Sequence, residues 1–468
     1  MHAPMNTNAP AMGDNSWASH IKATFALGIP LIGAQLAQLG IHTTDVVIVG
    51  QLGAEKLAAM VLAGQFLFTV FILGSGISIA VMPMVAQAFG QGDAVAIRRS
   101  LRMGLWASIG YWLLVLPIYF HAEPILLLLK QKPAIARLAG DYIHIAAFAM
   151  LPGLLFLVLR SLVSAVGRAG VILWVTIATL VLNAILAYGL VLGHFGLPRM
   201  GMHGAAIVNV IVQFSGLAVL IFYVQMIETR RYELFVRFWR PDWHALFEVV
   251  KLGLPIGITV LAEVSLFSAA SLMIGSIGTM ELAAHGISLQ LASIAFMIPL
   301  GLSQAATVRV GVAHGQGDHA GLVRAAITVL MIAGIIAAIG GAMLIFDPIF
   351  FASLYVSKDS PETPELLAIA SRLVVVAGIF QLVDSIQAIA SGLLRGLKDA
   401  SVPMVLALIA YWPIGFGLAW VFAFPLGYRE LGVWYGFLTG LAAACLFLCT
   451  RFYLLCRRDG IGMPASAA

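Results

Sequence analysis

Residues 76–93 read GISIAVMPMVAQAFGQGD, and residues 301–318 read GLSQAATVRVGVAHGQGD. The two stretches align without a gap at an offset of 225 residues, 76 onto 301 and 93 onto 318. Upstream, Leu27-Gly28 and Pro30 match Leu252-Gly253 and Pro255 at the same offset. Gly50, Gly53 and Leu57-Ala58-Ala59 match Gly275, Gly278 and Leu282-Ala283-Ala284. One half is therefore written twice, and any fold for the chain must be built from two alike parts.

The chain is 61% hydrophobic and only 10% charged, with a mean hydropathy of +1.00. A soluble domain carries roughly 25% charged residues, so this is an integral membrane protein with many spans. A spanning helix needs about 20 apolar residues. Twelve segments qualify, near 24–50, 57–88, 101–122, 138–160, 170–194, 204–227, 247–274, 282–310, 322–346, 366–394, 401–426 and 431–456. They are too long for the strands of an outer-membrane barrel, which run to about ten alternating residues. The polar start, MHAPMNTNAPAMGDNSWASH, lacks the apolar core of a cleavable signal peptide. Cys445, Cys449 and Cys456 share one face of the last segment and read as small apolar residues of a membrane helix, with no metal-site spacing.

Each half holds six helices. Six is even, so both halves enter the membrane the same way. The expected architecture is all-α: two six-helix bundles related by pseudo-two-fold symmetry along the membrane normal. Bundles facing one another across a cleft can rock to give alternating access. Duplication inside one chain favours a transporter over a channel, which usually repeats across subunits, and the chain is expected to act as a monomer. The organisation reads as an N-terminal tail (1–22), an N-lobe (23–227), a basic amphipathic connector (228–246), a C-lobe (247–456) and a C-terminal tail (457–468). With both termini in the cytoplasm, 18 of the 26 Lys and Arg residues fall on the inner side. This suits a multi-pass protein of a bacterial inner membrane. The net charge of +5 is spent on topology and does not point to nucleic acid.

The GQGD repeats follow segments 2 and 8. Their glycines suit a tight turn out of a helix and their Asp suits a cap of the next one. They are not phosphate loops, because no Gly-Lys-Ser/Thr follows.

Three acids lie deep in apolar segments: Asp45, Glu263 and Asp384. Acids in lipid are costly and mark function by default; the alternative is a hydrogen-bonded tie between helices. Gln35, Gln38, His42 and Asp45 are spaced three, four and three, along one helix face that should turn to the cleft. Gln381, Asp384 and Gln387 likewise share a face, and Thr259 lies one turn before Glu263. Desolvation favours the neutral carboxyl, so such acids can load and release a proton. Glu263 and Asp384, with amide and carbonyl oxygens nearby, could instead hold Na⁺. Either ion changes which packing is favoured. Negative charge beside aromatic and Met side chains also suits organic cations. No nucleotide loop, structural metal site, cofactor site or nucleophile triad is present, so neither an enzyme nor an ATP-driven pump is expected.

GIPLIGAQLAQLGIHTTDVVIVGQLGAEKLAA resembles the first helix of the MATE (multidrug and toxic compound extrusion) family, NorM-like branch. So do LVLNAILAYGLVLGHFGLPRMGMHGAAIVN at 180–209, PLGLSQAATVRVG at 299–311 and VDSIQAIASGLLRGLKDASVP at 383–403. The resemblance runs through almost the whole chain. It implies export of cationic or amphipathic drugs in exchange for H⁺ or Na⁺. It also implies roles for Asp45 as the helix-1 acid, for Glu263 and Asp384 as C-lobe cation-coupling acids, and for Asn183 as the helix-5 asparagine. Two positions depart from the pattern. Ala187 lacks a polar group that several members carry, and Phe380 stands where some Na⁺-coupled members have Tyr. One hydroxyl ligand for Na⁺ is thus missing, which leaves H⁺ open.

Two rival readings share the membrane architecture. A native metabolite could be exported by the same mechanism. A flippase of lipid-linked precursors should carry deep Arg and Lys for pyrophosphate, whereas the deep charges here read as acids. A major-facilitator protein should show GxxxDxxGRR between helices 2 and 3, and GQGDAVAIRR does not fit.

Overall fold

The computed structural model describes residues 16–228, 238–356 and 363–458. Most of both expected tails, and residues 229–237 of the connector, lie outside them. Every regular element among the described residues is helical, and twelve are long and apolar enough to cross a membrane. We number these α1 (Trp17–Gly50), α2 (Ala54–Gln91), α3 (Ala94–Phe120), α4 (Pro133–Ala165), α5 (Ala169–Leu192), α6 (Gly201–Tyr223), α7 (Trp243–Gly275), α8 (Thr279–Gln316), α9 (His319–Phe346), α10 (Thr363–Gly396), α11 (Ser401–Ala423) and α12 (Arg429–Arg458).

The twelve expected spans are all present, but several are too short as read from hydropathy. Expected at 57–88 and 282–310, α2 and α8 each run for 38 residues. At 1.5 Å per residue that is about 57 Å, well beyond the hydrocarbon thickness. Hydropathy marks only the lipid-facing stretch, and the helical backbone continues past it through polar residues. α11 is interrupted by a π-helical stretch, Ala410–Phe416, around Pro413. Proline has no N–H to give, and the wider turn absorbs the missing bond.

The GQGD turns repeat in three dimensions. Gly92 and Gly317 end α2 and α8 at φ 71° and 70°, a left-handed conformation that glycine adopts without strain. Asp93 then accepts from the backbone N–H of Val95 and Ala96, both at 2.9 Å, and Asp318 from Gly321 at 2.8 Å. Each caps the helix that follows.

The chain forms two compact units, residues 33–257 and residues 258 onward joined by the stretch up to Ile32. They are offset from the sequence halves. The first part of α1 belongs with the second unit, and the first part of α7 with the first. Both helices change unit two residues after a matched proline, Pro30 and Pro255.

In the first unit α4 packs on α2, α3 and α6 around Tyr119, Ile143, Leu154 and Val212. The early part of α7 lies against α2 so closely that a Cβ on Gly76 would strike the backbone of Gly257. Arg99 pairs with Asp242, Nη2 to Oδ1 at 2.9 Å, and Asp242 also accepts from Ala245 N–H at the start of α7.

In the second unit α10 is central, packed on α8, α9 and α12. Its core holds Leu266, Phe380, Tyr411, Trp434 and Phe437. The early part of α1 meets α8, where a Cβ on Gly301 would strike Ile32. Buried Arg309 donates to Thr24 and, at 2.6 Å, to Nδ1 of buried His20.

Candidate functional site

Glu263 and Asp384 stand on α7 and α10 of the second unit. Neighbouring apolar residues of the two helices, Leu266 on α7 and Phe380 on α10, belong to the core of that unit. Asp384 is 6% exposed. Glu263 is half-buried and lies within electrostatic reach of Asp384. Tyr411, from the π-helical stretch of α11, lies within electrostatic reach of Glu263 and accepts from Gln387 Nε2 at 2.6 Å. Asp384 Oδ1 and Gln387 Oε1 are buried, with no hydrogen-bond partner among the described residues.

Leaving buried acceptors unpaired costs about 1–3 kcal/mol each. The cost is relieved when an oxygen takes a proton or when several share a small cation. Two carboxyls, a phenol and an amide oxygen can do either. A positive charge is already close: Arg395, on α10, lies within electrostatic reach of Glu263 and donates to Ser303 Oγ at 2.9 Å.

Gln381 shares a helix face with Asp384, and its Oε1 is likewise buried with no hydrogen-bond partner among the described residues. Its buried amide lies against Gly340 of α9, where the missing side chain makes room for it. Thr259 is half-buried, one turn before Glu263.

In the first unit the four polar residues of α1 part company. Asp45 is half-buried and accepts from Asn183 Nδ2 of α5 at 2.8 Å. Gln35 is buried and accepts from Arg160 Nη2 of α4 at 2.7 Å. Gln38 and His42 are exposed. Ala187, one turn beyond Asn183, is buried and supplies no polar atom. Tyr142, buried on α4, lies within electrostatic reach of Asp45 and beside Asn209 of α6.

Sequence reasoning missed Tyr411, Tyr142 and the arginines. Both tyrosines sit in apolar runs with no polar periodicity. Arg160, Arg309 and Arg395 belong to the 18 basic residues expected on the inner side. Arg160 and Arg309 are 7% and 6% exposed, so the buried charges are not all acids. All three donate to polar side chains within their own unit.

A family model described as MatE matches residues 30–189 and 255–421. The chain is 66% identical over 448 residues to a probable multidrug resistance protein NorM of Agrobacterium fabrum, covering 96% of each chain. It is 58% identical to the protein of the same name from Rhizobium meliloti, covering 97% of this chain and 98% of that one. Among solved structures, the eukaryotic MATE transporter AtDTX14 matches with a TM-score of 0.84 at 21% identity, covering 94% of this chain and 97% of the other. A mutant of the Vibrio cholerae MATE transporter VcmN matches at 0.85 and 18%, covering 96% and 99%. At those identities the structures speak for the fold alone.

Proposed function

Because this chain belongs to the MatE family of membrane transporters, we propose that it is a secondary antiporter. It exports cationic or amphipathic small molecules from the cytoplasm in exchange for H⁺ or Na⁺. The working location is a bacterial inner membrane with both termini inside, and the chain acts as a monomer without a cofactor. The observation that carries this reading is the cluster Glu263, Asp384, Gln387 and Tyr411, with acceptor oxygens left unpaired in a membrane-spanning bundle. The names of the NorM relatives support drugs as substrates.

Mechanistically, the cluster works as a charge switch. With both acids ionised, repulsion and unpaired oxygens raise the energy of the packed unit. One bound H⁺ or Na⁺ offsets this, so the loaded and empty forms favour different packings. Binding of an organic cation competes for the same negative charge, which makes exchange obligatory. Alternating access between the two faces of the membrane then converts the inward ion gradient into outward drug flux. Asp45, held by Asn183, contributes to protonation or substrate release in the first unit.

The test is drug efflux from proteoliposomes. Glu263→Gln and Asp384→Asn are each expected to abolish gradient-driven export while the protein still inserts and folds. Wild-type efflux in both variants would refute the coupling role. Imposing a Na⁺ gradient without a pH gradient, and then the reverse, identifies the coupling ion.

A further inference from the structure

Each acid of the pair has an aromatic ring one turn away on its own helix: Phe267 after Glu263 on α7, and Phe380 before Asp384 on α10. The two rings meet edge to face at 6.2 Å and 74°. Trp434 backs Phe380 at 5.8 Å, and Phe437 backs Phe267 at 5.4 Å. Phe380, Trp434 and Phe437 are at most 2% exposed. The acid pair therefore has one apolar end, closed by four rings. Tyr411 and Arg395 lie within electrostatic reach of the pair, and Gln387 hydrogen-bonds Tyr411.

Trp434 carries an indole N–H into this apolar packing, where it needs an acceptor. That acceptor is Nδ1 of His285 on α8, at 3.2 Å, and His285 is 1% exposed. An indole nitrogen can only donate, so Nδ1 must be the unprotonated nitrogen and the ring proton sits on Nε2. Nε2 faces Ser271 Oγ at 3.1 Å, and the Ser271 hydroxyl donates to the carbonyl of Phe267 at 3.0 Å. The bonds run in one direction, from Trp434 through His285 and Ser271 to the backbone of Phe267. They tie α12, α8 and α7 together at the rings.

We propose that His285 is a positioning residue for ion coupling: it holds Trp434 and thereby keeps the four-ring cap closed over one end of the Glu263–Asp384 pair. The coupling ion then reaches the acids only past the polar groups. This rests on the reading of that pair as the coupling site. His285 touches neither acid; it acts through Trp434 and the backbone of Phe267.

Two measurements on purified, monodisperse protein in proteoliposomes test it: ion leak in the absence of drug, and drug exported per unit of imposed gradient. His285→Leu and Trp434→Phe each break the chain. Both are expected to raise drug-free leak of the coupling ion about tenfold, the change in open population that one lost buried hydrogen bond of about 1.4 kcal/mol brings. Drug exported per unit gradient falls in step, while the drug concentration giving half-maximal export stays put. His285→Gln, whose amide can accept from Trp434 and donate to Ser271, restores tight coupling. A His285→Leu protein as tight as wild type overturns the inference, and so does a Gln variant that leaks as Leu does. Should His285→Leu fail to fold, Trp434→Phe against His285→Gln decides alone. Wild-type transport by Glu263→Gln and Asp384→Asn would remove the underlying reading instead, a result separable from a tight His285→Leu.

Discussion

The hydroxyl of Tyr411 accepts from Gln387 and lies within electrostatic reach of Glu263. Tyr411→Phe keeps the ring in the core and removes only that oxygen. Gln387 then loses its acceptor, a loss of about 1–3 kcal/mol when buried, and Glu263 a polar neighbour. Transport is expected to need a steeper ion gradient, by roughly a factor of ten, at unchanged protein levels; counterflow in vesicles across a series of gradients measures it. At this scale the sequence is informative wherever a charge breaks an apolar run. Asp45, Glu263 and Asp384 declare themselves that way. Tyr411 does not, because a tyrosine in YWPIGF is indistinguishable from core. Asn183 was legible only through family resemblance. Gln381 teaches a narrower lesson: periodicity gives the face of a helix, yet the neighbour that fills the space decides where the side chain ends, here a glycine on α9.

Helices are where pattern and structure agree best, since an apolar run of 20 residues in lipid has few other ways to satisfy its backbone. The GQGD turns were equally plain, because glycine and aspartate each answer a definite need at a helix junction. Helix ends beyond the apolar runs were not legible, nor was the π-helical stretch that brings Tyr411 to the acids. Nor was the docking of α7, which depends on Arg99 and Asp242, partners separated by 143 residues. Hydrogen bonding to Arg99 holds the Asp242 carboxyl below its ordinary range. A depressed folded value stabilises the docked state above the unfolded carboxylate value, and the gain is lost as pH falls through the folded one. Hydrogen exchange over residues 243–256, corrected for intrinsic rates, is therefore expected to quicken below about pH 4. Arg99→Ala should show the faster exchange already at pH 7 and a flatter pH response.

For the whole molecule, the repeat at 225 residues gave two alike parts, and the helix boundaries repeat to within a residue through α1–α3 and α7–α9. What it could not give is which residues complete which part. The compact units borrow across the repeat, each taking the opening stretch of the other half's first helix. Cutting the chain between residues 228 and 238 tests this. The N-terminal fragment lacks the stretch that packs on Gly76, and the C-terminal fragment lacks the one that packs on Gly301. Neither is expected to accumulate in membranes when expressed alone, and the two together should restore folded protein and efflux. Stable, separately folded fragments would contradict the exchange.

That borrowing has the form of a domain swap sealed inside one polypeptide. A single repeat on its own would carry an empty groove and a half-helix with nowhere to lie, and a second copy supplies the remedy for both. The length of chain that was duplicated and the body that folds are thus different objects in this molecule. A change at Gly76 is answered at Gly257, and a change at Gly301 at Ile32, so each repeat drifts under constraints written in the other.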